Sequence, residues 1–256
     1  MFIDLHIHTN CSDGEIDIKN SIPTLYSNYK LVSFTDHENI FDPSKIPTSS
    51  ETKFLSGVEI CCNHNGQYIE ILGYNFDPHN EEMIEIVNKV KELRISIIMK
   101  ILKRNGFEIQ NLPKNPFRIN VPLPEYIDSK EFWRKNNIEY KESCHSISAS
   151  AIINAIVNAQ GIPVLAHPME SLSGFGAKNV EQFILSLGLD TVELITPKHS
   201  QEDIALISDI ISRNHLYASI GSDSHQARLK DIIYPYNISE EPYEWIRNIL
   251  EKENTV

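Results

Sequence analysis

Several of the ten histidines in this chain lie beside carboxylates at the ends of short apolar runs. His6 and His8 are two residues apart, so on an extended strand both imidazoles would project from the same face. Imidazole combined with carboxylate is the ligand set that Zn²⁺, Mn²⁺ and Fe²⁺ take in proteins. The residues that share this kind of position are His6, His8, Asp13, His37, Glu59, His167, Asp223 and His225. Their types and spacing predict a metal site.

The number of candidate ligands bears on the number of ions. Taken alone, a His-x-His pair on a strand is more often structural than metal-binding, so the inference depends on all the groups falling at equivalent positions. Together they exceed what one tetrahedral or octahedral ion needs while keeping an open position. Two or three ions with shared carboxylates fit better, and ions about 3.5–4 Å apart are a common device for phosphoester hydrolysis.

Short apolar runs alternate with helical patterns and must position these residues. The predicted strands are residues 2–8, 31–35, 54–59, 68–74, 163–167, 191–194 and 218–222. The predicted helices are residues 18–28, 147–159, 180–187, 201–214 and 243–251. Such alternation indicates a parallel α/β architecture of seven strands. In parallel α/β barrels the loops after the strand ends build the active site, so ligands distant in sequence would converge there.

Residues 80–146 interrupt this alternation. The pattern predicts one long helix over residues 81–105, with Gly106 as its C-cap. Four prolines follow, at positions 113, 116, 122 and 124, and disfavour regular structure. We therefore divide the chain into a main α/β unit, residues 1–79 and 147–256, and a mostly helical insert, residues 80–146, that caps the active site.

Composition excludes several classes of function. The chain has 256 residues and a formal net charge of −12, which argues against tight binding of long nucleic acid or of anionic membranes. This negative charge does not exclude a small phosphorylated substrate that is held by metal ions. No apolar run approaches the roughly 18 residues of a membrane span, and the first residues lack the basic region of a signal peptide.

The four cysteines are Cys11, Cys61, Cys62 and Cys144, and their spacing matches no metal-binding or disulfide framework. The sequence therefore predicts free thiols in a reducing compartment and a cytoplasmic location.

A set of motifs resembles the PHP (polymerase and histidinol phosphatase) family. The motifs are DLHIHT at 4–9, SDG at 12–14, FTDH at 34–37, GVE at 57–59, AHP at 166–168 and GSDSH at 221–225. The resemblance runs from residue 2 to about 230 and covers the insert weakly. It implies a distorted seven-stranded, TIM-like (β/α) barrel with a trinuclear metal site at the C-terminal mouth.

The resemblance also implies which residues share an ion. The first ion would be held by His6, His8, Glu59 and Asp223. Glu59 would bridge to a second ion that His167 also binds. The third ion would be held by Asp13, His37 and His225.

Glu70 departs from the family pattern, which has a histidine two residues before Leu-Gly-Tyr. A carboxylate can take that ligand position, but it is a harder donor than imidazole. Glu70 therefore favours Mn²⁺ or Fe²⁺ over Zn²⁺, or leaves a weaker second site. The alternative is that Glu70 is not a ligand.

Two further segments resemble a nucleotide-phosphatase branch of the family: GLDTVE at 188–193 and PKHS at 197–200. That branch includes enzymes that remove the 3′-phosphate of nucleoside 3′,5′-bisphosphates and relatives that degrade short RNA from the 5′ end. Its Arg-Pro-His motif near the end of the insert is replaced here by ESCH at 142–145, so His145 corresponds to the histidine and the arginine is missing. The candidate substrate contacts are Lys178, Lys198, His199 and Arg228.

These observations predict a metal-dependent phosphoesterase that cleaves a phosphomonoester of a small nucleotide by attack of a metal-bridging hydroxide. Asp223 would belong to the catalytic cluster, and His199 or His145 would protonate the leaving oxygen. Histidinol-phosphate phosphatase, a metal-dependent amidohydrolase and a non-catalytic metal- or nucleotide-binding module remain as alternatives.

The insert is expected to lie over the metal mouth and to select the substrate. It carries basic residues that are candidates for a phosphate contact: Arg118, Lys130, Arg134 and Lys135.

Overall fold

The structure is a computed structural model, and it describes residues 2–47, 51–106, 143–226 and 241–251. The strands are β1 (Phe2–Ile7), β2 (Tyr29–Phe34), β3 (Lys53–Leu55), β4 (Gly57–His64), β5 (Gln67–Tyr74), β6 (Ile162–Leu165), β7 (Thr191–Ile195) and β8 (Tyr217–Ile220). The helices are α1 (Ile18–Asn28), α2 (Glu81–Arg104), α3 (Ala149–Asn158), α4 (Pro168–Leu172), α5 (Ala177–Ser186), α6 (Gln201–Asn214) and α7 (Glu244–Glu251).

The strands form two sheets, of three and five strands, ordered β1-β2-β3 and β4-β5-β6-β7-β8. Isolated parallel bridges link the two sheets: Ile7 of β1 pairs with Ser224, which follows β8, and His37, which follows β2, pairs with Glu59 of β4. The predicted α/β class is confirmed. Neither sheet closes on itself within the described residues, so the seven-stranded barrel stays a prediction.

One strand runs against the predicted direction. β5 is antiparallel to both β4 and β6, because Asn65 and Gly66 form a two-residue hairpin turn between His64 and Gln67. Both turn residues have positive φ, 52° for Asn65 and 82° for Gly66, as a type I′ hairpin requires. The expectation of uniformly parallel strands is wrong here, although Asn-Gly is a strong hairpin signal.

The predicted strand over 54–59 is also two elements rather than one. β3 ends at Leu55 and belongs to the first sheet, whereas β4 begins at Gly57 and continues to His64 in the second. Gly57 is required here because a Cβ would overlap the Ser33 hydroxyl and the Phe34 carbonyl on β2. This close approach brings the first residues of β4, including Glu59, against the end of β2.

The core lies between the larger sheet and the helices that cover it. α3 packs on β4, β5 and β6, and Ile152 and Ile156 on this helix are fully buried. Trp245 of α7 donates an indole hydrogen bond of 2.9 Å to the Ala218 carbonyl of β8. Truncating a buried isoleucine such as Ile156 to alanine typically costs about 2–5 kcal/mol of stability.

The long helix predicted at the start of the insert is confirmed as α2. It begins after Asn80, whose side chain accepts from the Met83 amide, and it is followed by Gly106 at φ 83°. Its 24 residues span roughly 36 Å. Because β5 is antiparallel, the insert leaves from the end of the sheet where Tyr74 pairs with Gly57 and Ile162, opposite to the end of β6 that precedes His167.

Residues 107–142 of the insert lie outside the described residues. The four prolines belong to this segment, as do the candidate phosphate contacts Arg118, Lys130, Arg134 and Lys135. The division into a main unit and an insert stays a prediction.

Two of the cysteines are joined, contrary to the expectation of four free thiols. Cys61 on β4 and Cys144 form a disulfide with their Cα atoms 6.2 Å apart, and both side chains are fully buried. The returning chain reaches β4 at this point, where the Asn63 amide donates to the Ile147 carbonyl. Such a pairing across 83 residues has no local sequence signal. Cys11 and Cys62 are free thiols.

Within the described residues, none of the helices combines the length and the apolar character that crossing a bilayer requires.

Candidate metal centre

Glu59 on β4 lies at the centre of the predicted ligands. Its Oε1 is 3.1 Å from Nε2 of His167 and 3.4 Å from Nε2 of His6. Its Oε2 is 3.2 Å from Nε2 of His8 and 3.1 Å from Nδ1 of His37. All five side chains are buried, so one carboxylate joins histidines supplied by the ends of three strands.

Two aspartates extend the cluster on the side of His8. Asp223 places Oδ1 3.3 Å from Nε2 of His8 and 3.4 Å from Nδ1 of His225. Asp13 places Oδ1 3.4 Å from Nε2 of His225, and its Oδ2 is 3.7 Å from Nε2 of His37. The residues assigned by resemblance to the third ion therefore lie together.

Glu70 belongs to the same cluster and lies in the middle of β5. Its Oε1 is 3.7 Å from Nδ1 of His37, and its Oε2 is 3.5 Å from Nε2 of His167. The Tyr68 hydroxyl donates a 2.6 Å hydrogen bond to Oε1. The carboxylate is thus oriented towards two predicted ligands, which keeps a ligand role for Glu70 as a prediction.

The donor set fits divalent cations. Nε2 of His6 and Nε2 of His8 face each other at 3.1 Å, and Oε2 of Glu59 is buried without a hydrogen-bond partner. Buried polar atoms normally have such a partner, and a cation would satisfy both features. The groups whose donor atoms lie within 4.8 Å of one another are His8, Asp13, His37 and His225; His6, His8 and Glu59; His37, Glu59 and Glu70; and His167, Glu170 and Asp223.

The electrostatics of the cluster favour positive charge. Burial lowers the pKa of His8, but the nearby carboxylates of Asp223 and Glu59 outweigh this effect and raise that pKa to about 10. Burial also lowers the pKa of His167, but the hydrogen bond to Glu59 and the charge of this carboxylate outweigh it and raise that pKa to about 9. Burial and the charge of Glu59 raise the pKa of Glu70 to about 7. The centre therefore attracts protons when no metal is bound.

Buried carboxylates that are not predicted ligands hold the loops in place. Asp36 accepts from the backbone amide of Thr9 at 2.7 Å and from its hydroxyl at 2.6 Å, and Ser12 donates to the same carboxylate. Asp4 accepts from the amides of His6 and Ser222, and burial raises its pKa to about 6. These bonds fix the segments that carry His8, Asp13 and Asp223.

Sequence reasoning missed Glu193, which contacts two of the predicted ligands at once. Its Oε1 lies 3.0 Å from Nδ1 of His6, and its Oε2 accepts from the His167 amide at 2.7 Å. Glu193 is fully buried on β7. A carboxylate on the far nitrogen of a metal-binding histidine fixes its tautomer and ring orientation. The available signal was an acidic residue between Val192 and Leu194 in a buried strand.

The cluster forms the floor of a cavity of about 220 Å³. His6 and His8 are fully buried behind it. The lining residues are Asp13, His37, Glu59, Tyr68, Glu70, Arg94, His167, Glu170, Ser171, Lys198, Asp223 and His225. Lys198 is the predicted substrate contact that the structure places here. Its ammonium group is 3.3 Å from Oδ2 of Asp223 and 3.1 Å from Oε2 of Glu170.

The other predicted substrate and proton-transfer residues are placed differently. Both ring nitrogens of His199 bond to backbone groups: Nδ1 donates to the Leu194 carbonyl at 2.9 Å, and Nε2 accepts from the Met169 amide at 3.4 Å. His199 is also absent from the cavity lining, so the geometry does not fit a proton donor. Lys178 is exposed on the first turn of α5, outside the lining.

Two predicted residues fall on parts of the chain that are not described in full. The backbone of His145 belongs to a 3₁₀ turn over Ser143–Ser146, and its side chain lies outside the described residues. Arg228 lies outside them altogether.

The chain is similar along most of its length to two characterised enzymes. A 3′,5′-nucleoside bisphosphate phosphatase of Chromobacterium violaceum is 25% identical over 249 residues, covering 87% of both chains. A 5′-3′ exoribonuclease of Haemophilus influenzae is 22% identical over 244 residues, covering 87% of this chain and 89% of its own. The chain is a homologue of these enzymes. The resemblance predicted from the motifs is confirmed at this level, although no family model matches the chain.

Solved structures share the fold. A protein of Bifidobacterium adolescentis described as a metal-dependent phosphoesterase superposes with a TM-score of 0.69 at 17% identity, over 97% of this chain and 95% of its own. An amidohydrolase of Chromobacterium violaceum, solved with bound sulfate and no metal, gives a TM-score of 0.66 at 22% identity, over 94% and 96%. At these identities the likeness concerns architecture alone.

Proposed function

We propose that this protein is a metal-dependent phosphomonoesterase that acts on a small nucleotide, such as a nucleoside 3′,5′-bisphosphate or a short oligonucleotide. The observation that carries the proposal is the convergence of all nine predicted ligands on one cluster at the floor of a cavity, with a lysine at its edge.

The broader enzyme class is shown by relationship. Both characterised relatives are enzymes that act on phosphoester bonds, and this confirms the predicted hydrolase class. Their names also supply the substrate class that we propose for this chain, a small nucleotide.

The family resemblance implies which residues would hold the ions, and contacts within the cluster support that assignment. One group of donors would comprise His6, His8, Glu59 and Asp223; the second would comprise Glu59, Glu70 and His167; the third would comprise Asp13, His37 and His225. When bound, divalent ions would supply an activated water and positive charge for the phosphate oxygens. The mixed carboxylate and imidazole set, with Glu70 present, favours Mn²⁺ or Fe²⁺.

Lys198 is the residue of this chain that is best placed to bind the substrate phosphate. Its side chain is 42% exposed, so the ammonium can reach a ligand in the cavity while it remains beside Asp223. Burial of the side chain lowers the pKa of Lys198, but the charges of Asp223 and Glu170 outweigh it and raise that pKa. The ammonium is therefore charged throughout the physiological pH range.

The proposal is tested by hydrolysis of a panel of phosphoesters with added Mn²⁺. The panel contains nucleoside 3′,5′-bisphosphates, mononucleotides, 5′-phosphorylated short RNA and histidinol phosphate. We expect the nucleoside 3′,5′-bisphosphates or the 5′-phosphorylated short RNA to give the highest kcat/KM. Lys198→Met should raise KM at least ten-fold for that substrate, whereas Lys19→Met, an exposed lysine on α1, should not.

The panel also separates the alternatives. If histidinol phosphate gives the highest kcat/KM, the protein is a histidinol-phosphate phosphatase and the proposed nucleotide substrate is wrong. Metal binding without turnover of any phosphoester would contradict an enzymatic function and favour a binding module.

A further inference from the structure

Arg94 is a charged residue within the buried face of α2. It lies between Val90 and Ile98, and only 2% of its surface is exposed. Its NH1 atom is 2.7 Å from Oε1 and 2.6 Å from Oε2 of Glu38. Arg94 also lines the cavity above the metal centre. The helix of the insert therefore reaches the site through this guanidinium.

Glu38 connects this contact to the predicted ligands. It directly follows His37, and its φ of 43° is a left-handed conformation that a residue with a Cβ adopts at a cost of about 1–3 kcal/mol. Its amide donates to the Glu59 carbonyl at 2.9 Å, and its Oε1 accepts from the Cys61 amide at 3.0 Å. The turn that follows β2 is thus held against β4, which brings His37 to Glu59.

Stability alone does not account for this buried ion pair. Removing two charges from water costs several kcal/mol per ion, and well-packed apolar residues of similar volume are often as stable or more stable. The position on α2 is otherwise suited to an apolar residue, as its neighbours Val90 and Ile98 show. An apolar pair would not form the directional hydrogen bonds by which Arg94 fixes the turn at Glu38.

We infer that Arg94 is a positioning residue of the metal centre: through Glu38 it sets the orientation of His37 relative to Glu59. The insert helix is then part of the support of the metal centre as well as a covering element. The inference rests on the metal centre of the proposed function and is independent of which substrate is cleaved.

The test removes both charges together, because loss of one partner alone would leave an uncompensated buried charge. In Glu38→Gln/Arg94→Met the amide oxygen of the new glutamine still accepts from the Cys61 amide. The metal-free unfolding temperature and the binding of Mn²⁺, followed by the electron paramagnetic resonance of the free ion, are measured for this variant, for Arg94→Lys and for wild type. Arg213→Met, which breaks an exposed arginine pair with Asp209 and Glu181, is the matched control.

We expect the double variant to unfold within a few degrees of wild type and to bind its weakest Mn²⁺ ion at least ten-fold less tightly, the range found when the support of a metal ligand is lost. Arg94→Lys should show the same loss, because its ammonium group lies one bond nearer the main chain than NH1 of arginine and would not reach both oxygens of Glu38. Arg213→Met should bind Mn²⁺ as wild type does.

Wild-type Mn²⁺ affinity in the folded double variant would overturn the inference. If the double variant does not fold, unchanged Mn²⁺ affinity in Arg94→Lys would overturn it equally. The proposed function is tested separately. A wild-type protein that binds Mn²⁺ but hydrolyses no phosphoester would contradict the proposed enzymatic activity. The Mn²⁺ titrations would still decide whether Arg94 positions the metal centre.

Discussion

At the scale of single residues, the centre depends on carboxylates that contact several histidines each. Glu59 contacts four of them, and Asp223 contacts His6, His8 and His225. Replacing such a carboxylate by its amide keeps the volume but removes the charge that a shared ion needs. The packing around the site is otherwise unchanged.

The first prediction follows from this arrangement. We expect Glu59→Gln and Asp223→Asn each to lower kcat to less than a tenth of wild type while the far-ultraviolet circular dichroism remains native. The measurement is steady-state hydrolysis of the preferred substrate with saturating Mn²⁺. Retention of more than a tenth of the activity by either variant would refute its assignment as a ligand.

The support of the ligands can be tested separately from the ligands. Glu193 touches Nδ1 of His6 and the amide of His167, so Glu193→Gln should loosen the orientation of both. We expect Mn²⁺ to bind about 10–100-fold less tightly. Calorimetric titration measures this, and Glu202→Gln on the exposed first turn of α6 is the control. Equal affinity in Glu193→Gln and wild type would show that the contact is not needed for metal binding.

Glu70 distinguishes the donor set of this chain from one with histidine at the same position. Glu70→His supplies a softer donor beside His167, so we expect the ratio of bound Zn²⁺ to bound Mn²⁺ to increase. Both proteins are purified in parallel and their metals are quantified by elemental mass spectrometry. Identical metal content and identical activity would show that Glu70 is not a ligand.

At the scale of elements, the sequence predicted which residues cluster better than it predicted the strands that carry them. The predicted ligands could be recognised because imidazole and carboxylate, which together form a metal-ligand set, recur at the ends of several apolar runs. The direction of β5 was misjudged although Asn65-Gly66 marks a hairpin, because Tyr68–Tyr74 has the same apolar character in either direction. Arg94, Glu193 and the Cys61–Cys144 pair have contacts distant in sequence, which no local pattern encodes.

The insert provides a prediction at this scale. Because α2 packs on the core and carries Arg94, the replacement should spare it and Cys144 and exchange only residues 107–142 for a short linker. We expect KM for the nucleotide to rise at least ten-fold, with slow turnover of a small aryl phosphate unchanged. An unchanged KM in a cleanly folded replacement would mean that this segment does not select the substrate.

At the scale of the whole molecule, the chain has a formal net charge of −12, and several of its carboxylates lie among the histidines of the candidate metal centre. Without metal, the positive charge that offsets them is bound as protons, as the raised pKa values of His8 and His167 indicate. Metal binding must displace those protons, so affinity for divalent ions should increase with pH.

The last prediction concerns the stability of the metal-free protein. In the unfolded chain both histidines have a pKa near 6.5, whereas in the folded chain the values are about 10 for His8 and about 9 for His167. A histidine whose pKa is raised in the folded state stabilises the fold fully at pH values below its unfolded-state pKa. This stabilisation is lost as the pH rises through the folded-state pKa. Burial lowers the pKa of His37 to about 3, so the effect of this histidine on stability has the opposite sign. That effect changes with pH only up to about pH 7 and is constant above it.

We therefore expect the unfolding temperature of the metal-free protein to fall steadily between pH 7 and pH 9, by the equivalent of about one to a few kcal/mol. With saturating Mn²⁺ the fall should disappear, because the ions then supply the positive charge and the histidines are already deprotonated. Differential scanning calorimetry with and without chelator measures both curves, and His79→Asn, an exposed histidine, is the control. A metal-free unfolding temperature that stays constant or rises over this range would contradict the protonated state assigned to His8 and His167.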